Sequence, residues 1–551
     1  MKVVSDFNAE VFERYLRHDP EAPVLEVEGS PFNQLLQTLT QGDQDLDAFG
    51  LVWARPEGAL PSFRAALELC EPIDLDALRD EVRSFAAAVS SFAACRRHVL
   101  VASFVVPPGH RGSGMLDWRA GVGLRHAIAT ANLALASSFD DAPNAHVLDA
   151  EAWISAGGSG AASTKQWYTS KVPYSNAVFQ AAVPEVKAAL VALSGRTRKL
   201  VIVDLDDTLW GGVVGDVGWE GIRLGGHDHV GEAFVDFQRS LKALTARGTL
   251  LGIVSKNTET VALEAIEKHP EMVLGLDDFA GWRISWDDKA ANVAALGHDL
   301  NLGLDAVVFI DDNPVERARV ADELPDVLVP DWPTDPAQYA ARLRALTCFD
   351  VATVSAEDRA RSQQYVVERS RRRDLETVGS LDDWLATLDL RVRLEALDAS
   401  NLPRATQLLN KTNQMNLTTR RMTDHELVTW GVEPGRAVLT FSVDDRFGPS
   451  GLTGLVGLEL TDGDATVVDL VLSCRVMGRR IEEAMLHAAS AWARRAGAGR
   501  LVLRYLETPR NAPCADVLRA SALTETSPGI FEWDLVREYP LPPVVALDGA
   551  P

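Results

Sequence analysis

The run Leu200–Val203 is apolar at all four positions and constrains the fold more than any other stretch. A strand that is apolar throughout is buried on both faces, which is typical of a parallel sheet covered by helices. Such sheets bind ligands at the carboxyl ends of their strands. Asp204, Asp206 and Thr208 follow this strand end. Two carboxylates so close together predict a bound cation, and Mg²⁺ is favoured because the available ligands are hard oxygens.

The segments around this junction alternate between apolar strands and amphipathic helices. After it, helices are predicted at 230–247 and 289–299, and strands at 250–254 and 306–310. This order predicts a doubly wound parallel sheet. Before it, strands are predicted at 24–27, 49–53 and 99–106, and helices at 73–95 and 122–139. The first part of the chain is therefore predicted to be another α/β layer domain.

The predicted fold class is α/β with three domains and a tail. The predicted parts are an N-terminal α/β domain at 1–197, a doubly wound sheet without a large cap at 198–378, an α+β domain with a largely antiparallel sheet at 379–540, and a Pro-rich disordered tail at 541–551. Ser5 follows a short apolar pair, but no GxSxG turn accompanies it. The first domain is therefore predicted to bind or dock without catalysing a reaction.

Composition indicates which partners and which cellular compartment are expected for this protein. The formal net charge of −24 argues against nucleic acid, which needs a basic face. No stretch reaches the roughly 18 consecutive apolar residues that a membrane span requires, so we expect a cytoplasmic protein without a membrane partner. The five cysteines are widely spaced, and this predicts neither a disulfide framework nor a zinc site.

Three further features have the order that a phosphoryl-transfer site needs. Ser255 follows the predicted strand at 250–254, Lys289 opens a predicted helix, and Asp311 and Asp312 follow the predicted strand at 306–310. The strand ends of a parallel sheet meet at one edge, so these side chains are predicted to lie beside Asp204.

A second candidate site lies in the C-terminal part. Cys474 follows a predicted strand and precedes a predicted helix, between basic residues at Arg475, Arg479 and Arg480. Nearby cations and a helix N-terminus favour the thiolate, so Cys474 is a candidate nucleophile, although a buried structural cysteine is an equally good interpretation. Asn413 and Gln414 lie in an unusually polar helix end, which capping and turn chemistry explain, and the alternative is that they line the same site.

The elements around Asp204, Ser255, Lys289 and Asp311 resemble the four motifs of haloacid dehalogenase-like (HAD-like) phosphohydrolases. The resemblance implies that Asp204 is the nucleophile and that Asp206 protonates the leaving oxygen and then activates water. The further roles that it implies are substrate binding by Thr208, Ser255 and Lys289, and Mg²⁺ binding by Asp204, Asp206 through its main-chain carbonyl, and Asp311, with Asp312 in support.

The segment 475–480 resembles the loop with which acetyltransferase-like (GNAT-like) folds hold the pyrophosphate of coenzyme A. It departs from that pattern at Arg480, where a small residue is expected. The N-terminal domain resembles the SGNH-like α/β class.

From Met1 to Trp533 the chain resembles the FkbH-like proteins, which are glyceryl transferase/phosphatases of polyketide biosynthesis. The blocks that carry this resemblance are 204–212, 309–314, 410–414 and 472–478. It implies that D-1,3-bisphosphoglycerate is dephosphorylated and delivered as a glyceryl thioester to the phosphopantetheine arm of an acyl carrier protein. Cys474 would carry the acyl group, while Arg475, Gly478, Arg479, Arg480 and a second basic cluster at 371–373 would meet the acidic carrier.

Two other functions remain open. One is a stand-alone Mg²⁺-dependent phosphatase that acts on a small phosphorylated metabolite, with scaffolding domains on either side. The other is a coenzyme A-dependent GNAT-like acyltransferase, against which the departure at Arg480 counts.

Overall fold

The computed structural model describes residues 1–40, 45–140, 142–226, 228–354, 365, 381–461 and 463–549. The chain divides into two compact units: residues 1–196 with 350–352, and residues 197–349 with 353–551. The first unit contains one sheet and the second contains two. The basic cluster at 371–373 and the predicted boundary at 378/379 lie outside the described residues.

The first unit is built on a five-stranded parallel sheet with the order β2-β1-β3-β4-β5. Its strands are β1 (Lys2–Ser5), β2 (Glu28–Gly29), β3 (Asp45–Trp53), β4 (Arg96–Ala102) and β5 (Ala145–Leu148). Its α-helices are Glu10–His18, Leu35–Thr40, Pro56–Ala59, Pro61–Leu69, Leu75–Ala93, Leu124–Ser137, Ala150–Ala156, Thr164–Ser170 and Asn176–Leu193, and its 3₁₀ helices are Gly114–Leu116 and Gly158–Gly160.

Both faces of this sheet are covered, because alternate residues of each strand point to opposite sides. Val4 and Val52 belong to one hydrophobic core, while Val3 and Leu51 belong to the other. The predicted strand at 24–27 is wrong, since pairing with β1 begins only at Glu28. Three of its four residues are apolar, but β1 begins at Lys2, which pairs with Glu28, so the segment before Glu28 lies outside the ladder.

One described helix, Asn176–Leu193, is long and apolar enough to cross a membrane by length and composition alone. Eight of its residues are buried, and it packs against the helices Glu10–His18 and Ala150–Ala156. The ammonium group of Lys187, on the same helix, donates a hydrogen bond to the carboxylate of Asp19 at 2.7 Å. These contacts are those of a helix packed in the core of a folded domain.

His98 and His146 lie on neighbouring strands, with Nδ1 and Nε2 3.1 Å apart. Burial, His146 and Arg97 lower the pKa of His98 to about 4, and burial lowers that of His146. The unfolded chain takes up these protons near pH 6.5 and the folded chain does not, so stability falls as the pH drops from there towards 4. We expect His98→Asn to reduce that loss by about 1–2 kcal/mol, after allowance for partial exposure of the ring.

Urea unfolding of the whole chain, followed by tryptophan fluorescence near pH 7 and near pH 5, measures this difference. His110→Asn, at an exposed histidine, is the matched control. An unchanged pH dependence in His98→Asn would contradict the expectation.

The second unit opens with a four-stranded parallel sheet of order β8-β7-β6-β9. Its strands are β6 (Leu200–Val203), β7 (Leu250–Ser255), β8 (Phe279–Ile284) and β9 (Val307–Ile310). Its α-helices are Val214–Val217, His229–Thr245, Glu259–Lys268, Lys289–Asp299, Pro314–Glu323 and Tyr339–Arg344, and its 3₁₀ helices are Leu276–Asp278, Leu304–Ala306, Pro336–Gln338 and Thr347–Phe349. No strand was predicted at β8, which forms one edge of this sheet.

The apolar run at β6 is buried on both faces, as predicted. Val201 and Val203 contribute to one core, while Leu200 and Ile202 contribute to the other. The strand therefore lies at the centre of the layer, and its carboxyl end opens between two neighbours, β7 and β9.

The second sheet of this unit has eight strands in the order β15-β16-β14-β13-β12-β11-β10-β17. The strands are β10 (Leu390–Ala396), β11 (Arg436–Asp445), β12 (Gly448–Thr461), β13 (Asp464–Leu472), β14 (Arg500–Arg504), β15 (Thr524–Ser527), β16 (Ile530–Asp534) and β17 (Val545–Asp548). The associated helices are Leu381–Thr387, Leu402–Lys411, Asp424–Gly431, Cys474–Val476 (3₁₀), Ile481–Arg495 and Ala512–Ala520. Most pairs are antiparallel, and β13/β14 and β10/β17 are parallel.

The predicted disordered tail at 541–551 is corrected by β17. Its residues pair with β10 from Leu390↔Val545 to Arg393↔Asp548, and Val545 is buried. The proline content of the tail indicated disorder. The short apolar run after the prolines instead completes the edge of the sheet.

Candidate active site

The carboxyl ends of β6, β7 and β9 bring the predicted phosphoryl-transfer residues together. The ammonium group of Lys289 lies 2.9 Å from Asp204 Oδ2 and 2.5 Å from Asp311 Oδ2. All three side chains are buried. Lys289 is the first residue of a helix whose N-cap is Asp288, and this position brings its side chain to the aspartates at the strand ends.

Charge and burial oppose each other within this cluster. Burial alone would lower the pKa of Lys289, but Asp204 and Asp311 raise it overall, so the lysine stays charged. Burial and the charge of Asp204 raise the pKa of Asp311 to about 6. The same two causes raise the pKa of Asp312. Three carboxylates around one lysine therefore leave a negative excess.

The arrangement fits a divalent cation. Carboxylate oxygens of Asp204, Asp311 and Asp312 lie within 4.8 Å of one another. Asp204 Oδ1 is buried and has no hydrogen-bond partner, which leaves one hard oxygen unused in the centre of the cluster. The side chain of Asp206 does not belong to this group, and the expected Mg²⁺ binding by its main-chain carbonyl stays a prediction.

The Asp206 carboxylate is instead held by its surroundings. Its Oδ1 accepts hydrogen bonds from Trp210 Nε1 and the Val214 amide, both at 3.0 Å, and its Oδ2 accepts one from Asn257 Nδ2 at 2.9 Å. Burial raises the pKa of Asp206. A carboxyl group whose pKa is raised by burial suits proton donation followed by proton acceptance.

Asn257 and Trp210 were not among the predicted site residues. Asn257 lies two residues after Ser255, at the end of the same strand, and this position was the signal that could have identified it. Trp210 lies within the block 204–212, but its indole N–H contact with Asp206 depends on the turn after β6.

Thr208 differs from the expectation that it binds substrate. Its side chain is fully buried. The hydroxyl donates to Asp312 Oδ1 at 3.2 Å and accepts from the Asp312 amide at 3.1 Å. Thr208 therefore positions Asp312. Ser255 ends β7 and is also buried, beside the same edge of the sheet.

The mouth of this site has no inserted cap domain within the described residues. Between β6 and β7 the chain forms only the short helix Val214–Val217 and the helix His229–Thr245, as the short spacing predicted. Exposed apolar side chains follow the strand ends, namely Val213, Val217, Trp286 and Val315.

Cys474 lies far from this mouth. Its Sγ is 3.7 Å from the hydroxyl of Tyr365, which also donates to the carbonyl of Leu300 at 3.4 Å. Asn301 Nδ2 donates to the Cys474 carbonyl at 3.4 Å. Leu300 ends the helix that Lys289 begins. Eleven residues at about 1.5 Å each separate the two ends by roughly 17 Å.

The polar segment with Asn413 and Gln414 lies at the Cys474 end of β13. The Met415 carbonyl accepts a hydrogen bond from the Leu472 amide at 3.0 Å, two residues before Cys474. β13 and β14 pair only between Asp464 and Val467 on β13. Beyond that point Asn416 forms an isolated antiparallel bridge with Val471 of β13. The predicted helix end is corrected, because that helix stops at Lys411. Asn413 Oδ1 accepts a hydrogen bond from the Arg421 guanidinium.

The basic loop after Cys474 is less available to a partner than predicted. Arg479 is only 3% exposed, and its Nη1 lies 3.3 Å from Asp445, whose side chain is fully buried. This ion pair corrects the prediction that Arg479 meets the carrier protein. Arg475 donates to Ser473 Oγ and is half-buried, while Arg480 is exposed and pairs with Glu483 at 2.8 Å.

The loop also holds an internal carboxyl group. The amide of Gly478 donates to Glu482 Oε1 at 2.8 Å, and Glu482 is buried on the helix Ile481–Arg495. Arg480 has φ of 64°, a left-handed conformation that costs about 1 kcal/mol in a non-glycine residue. Burial raises the pKa of Glu482, so the turn at 475–480 holds a carboxyl group of the chain itself whose charged form is disfavoured.

Comparison with known proteins finds a solved structure that is similar to much of the chain. The N-terminal part of the protein BF1531 from Bacteroides fragilis, containing phosphatase domain and complexed with Mg, matches at 25% identity and a TM-score of 0.57. The match covers 64% of this chain and 94% of that one. This chain resembles a phosphatase-containing protein. No family model matches it, and no curated protein does.

Acetyltransferases match a shorter part. The ribosomal-protein-S18-alanine N-acetyltransferase from Escherichia coli matches at 11% identity with a TM-score of 0.21, over 26% of this chain and 94% of its own. PaiA N-acetyltransferase from Thermoplasma acidophilum, in complex with coenzyme A, matches at 14% identity with a TM-score of 0.22, over 26% of this chain and 98% of its own. At these TM-scores the matches support no inference about chemistry.

The buried pair at Arg479 yields a stability prediction. Removing one partner of a buried ion pair leaves an uncompensated charge, so we expect Arg479→Ala to cost about 3 kcal/mol of unfolding free energy. Arg480→Ala, at an exposed side chain, should change stability by less than about 0.5 kcal/mol. Urea unfolding of both variants measures the difference. Equal stabilities would show that the Arg479–Asp445 pair contributes little.

Proposed function

We propose that this chain is a bifunctional enzyme, a Mg²⁺-dependent HAD-like phosphatase coupled to transfer of a glyceryl unit onto an acyl carrier protein. The observation that carries the phosphatase half is the contact of Lys289 with both Asp204 and Asp311, beside the unpartnered Asp204 Oδ1. The similarity to a phosphatase-containing protein complexed with Mg supports the same half.

In the phosphatase half, Asp204 attacks the phosphorus of the ester and the P–O bond to the substrate breaks. Asp206 gives its proton to the leaving oxygen, which departs as the alcohol. Water then attacks the phosphorus of the aspartyl-phosphate and gives its proton to Asp206, and inorganic phosphate leaves. Lys289 and Ser255 hold the phosphoryl oxygens. A bound Mg²⁺, held by Asp204, Asp311 and the Asp206 carbonyl, would offset the charge of phosphate and nucleophile.

In the transfer half, the thiolate of Cys474 attacks the acyl carbon of D-1,3-bisphosphoglycerate, a thioester forms, the C–O bond to the 1-phosphate breaks and that phosphate leaves as inorganic phosphate. The thiol of the carrier's phosphopantetheine arm then attacks the thioester and releases Cys474. The Tyr365 hydroxyl lies 3.7 Å from Sγ, and its single proton would have to turn from the Leu300 carbonyl to donate a hydrogen bond to the thiolate. Arg475, Gly478 and Arg480 stay candidates for contact with the carrier, and the reaction would take place in the cytoplasm.

The distance between the two centres restricts how they cooperate. Roughly 17 Å of helix separates the Lys289 end from the Leu300 end, which is longer than a glyceryl group. A three-carbon unit on Cys474 does not span that distance. The ester phosphate is therefore removed either before the unit reaches Cys474 or after it has moved to the longer arm of the carrier.

The two alternative functions are less well supported. Coenzyme A-dependent transfer needs a free anion site in the 475–480 loop. Glu482 already accepts the hydrogen bond that the Gly478 amide would donate to such an anion. A stand-alone phosphatase of a small metabolite remains the second candidate, favoured by the separation of Asp204 from Cys474.

Intact-mass spectrometry of a phosphopantetheinylated carrier protein tests the proposal. After incubation with the enzyme, bisphosphoglycerate and Mg²⁺, we expect the carrier to gain one glyceryl unit. Carrier of unchanged mass, with phosphate released at the same rate in its absence, would establish the stand-alone phosphatase instead.

A further inference from the structure

One loop of the first unit displays apolar side chains to solvent. This segment, residues 107–123, is called the display loop, and it connects β4 to the helix Leu124–Ser137. Met115 is 97% exposed and Trp118 is 68% exposed, and Leu116 and Val122 are also exposed. Four large apolar groups within eight residues form a patch of the kind that marks interaction sites.

The display loop is held in a defined conformation. Its centre is Asp117, which is only 5% exposed and accepts a hydrogen bond from the Ser113 amide at 2.9 Å. The Asp117 carbonyl accepts another from His126 at 2.9 Å, and the Gly121 carbonyl accepts one from Ile73 at 2.8 Å. A side chain at position 123 would clash with the Asp117 carbonyl, because a Cβ on Gly123 would lie 2.1 Å from it.

The loop is also basic in an acidic protein. Residues 82–139 contain one acidic residue, Asp117, although the chain has 78 acidic residues in total. Arg111 and Arg119 of the loop, and Arg125 in the first turn of the following helix, are exposed, and none of the three forms an ion pair with a described residue.

The acidic residues beside the loop are partly neutralised. The residues that follow Ile73, whose amide bonds to the loop, include two aspartates. The Asp74 side chain caps the helix Leu75–Ala93, and Asp76 forms an ion pair with Arg79 at 2.6 Å. The arginines of the loop therefore keep a local positive excess.

We propose that the display loop is the docking surface for a small acidic protein domain, namely the acyl carrier protein. This inference rests on the proposed function and assigns a role to the first unit. Met115 and Trp118 supply the apolar anchors, and the three arginines meet acidic side chains of the carrier.

Other occupants fit the loop less well. A symmetric pair of identical chains would place the arginines of one loop against those of the other, and like charges repel. An anionic membrane would face a wide area of a protein whose net charge is −24, whereas a small domain meets only the basic patch.

Binding of a fluorescently labelled, phosphopantetheinylated carrier protein to the full chain tests this docking surface. The two test variants are Met115→Ser/Trp118→Ser and Arg111→Glu/Arg119→Glu/Arg125→Glu. The matched controls are Leu133→Ser, whose side chain is 72% exposed about 14 Å further along the helix, and Arg14→Glu on an exposed helix position.

We expect each test variant to raise the Kd for the carrier at least about tenfold, and to raise the KM for the carrier with kcat unchanged. Release of phosphate from p-nitrophenyl phosphate should stay at the wild-type rate in every variant. Both controls should bind as the wild type does, and higher salt should weaken wild-type binding.

Four outcomes would overturn the proposal. If wild type loads the carrier and the test variants bind it equally well, the docking surface is wrong and the proposed function stands. If wild type neither binds nor loads the carrier, the proposed function fails as well. If wild type binds vesicles with anionic lipid through the loop, the occupant is a membrane. A dimer that the test variants dissociate would identify a second copy.

Discussion

Asp204→Asn is expected to lower Mg²⁺-dependent phosphate release by at least about 10⁴-fold, because the variant loses the attacking carboxylate oxygen. The amide keeps the size of the side chain, and Asp204 is buried between Lys289 and the neighbouring strand ends, so the fold should persist. The measurement is phosphate release from p-nitrophenyl phosphate and from bisphosphoglycerate, each with and without Mg²⁺.

Asp207→Asn is the matched control for this experiment. Asp207 is exposed, has φ of 51°, and its Oδ1 accepts a hydrogen bond from the Gly212 amide. Asparagine keeps an acceptor oxygen and tolerates this conformation, so we expect activity within about twofold of wild type. Near-wild-type activity in Asp204→Asn, or equal losses in both variants, would refute the nucleophile assignment.

Cys474→Ala is expected to abolish loading of the carrier, by at least about 10³-fold, while phosphate release from p-nitrophenyl phosphate stays within about twofold of wild type. The reason is the roughly 17 Å between the two ends of the helix that begins at Lys289. The carrier's mass and the mass of the enzyme itself are measured after incubation with bisphosphoglycerate. Wild type should carry an acyl group on the peptide that contains Cys474.

Cys70→Ser is the control, because Cys70 is an exposed free cysteine on the first unit. We expect it to load the carrier as wild type does. Normal loading by Cys474→Ala would exclude the thioester relay, whereas loss of both activities in that variant would show that the two centres are coupled through the fold.

The residues of the phosphatase centre could be predicted because each one directly follows or begins a regular element. Asp204 ends one apolar run, Asp311 ends another, and Lys289 starts a helix. Parallel strands have their carboxyl ends at one edge, so local sequence and a single rule of topology were enough to bring these residues together.

Other features could not be predicted because they depend on neighbours distant in sequence. Thr208 was expected to contact substrate, but its hydroxyl donates a hydrogen bond to Asp312, which lies more than a hundred residues later in the chain. Arg479 was expected at the surface, and it is buried against Asp445. Asn257 holds Asp206 only because β7 and the turn after β6 lie side by side.

The strand β17 shows the same limit in the fold itself. The segment 545–548 carries a weak apolar pattern after a proline-rich stretch, and its order comes from backbone hydrogen bonds to β10, more than a hundred and fifty residues earlier. An edge strand is stabilised by the strand that it pairs with, and the edge strand's own residues do not identify that partner.

The sequence by itself predicted that Asp204, Lys289 and Asp311 lie together, because each directly follows or begins a regular element at one edge of a parallel sheet. Only the tertiary structure decided where Cys474 stands, at the Leu300 end of the helix whose other end enters the phosphatase centre. The physical reason is range: strand and helix periodicity act over a few residues, whereas the position of one sheet against another is set by contacts between segments far apart in the chain.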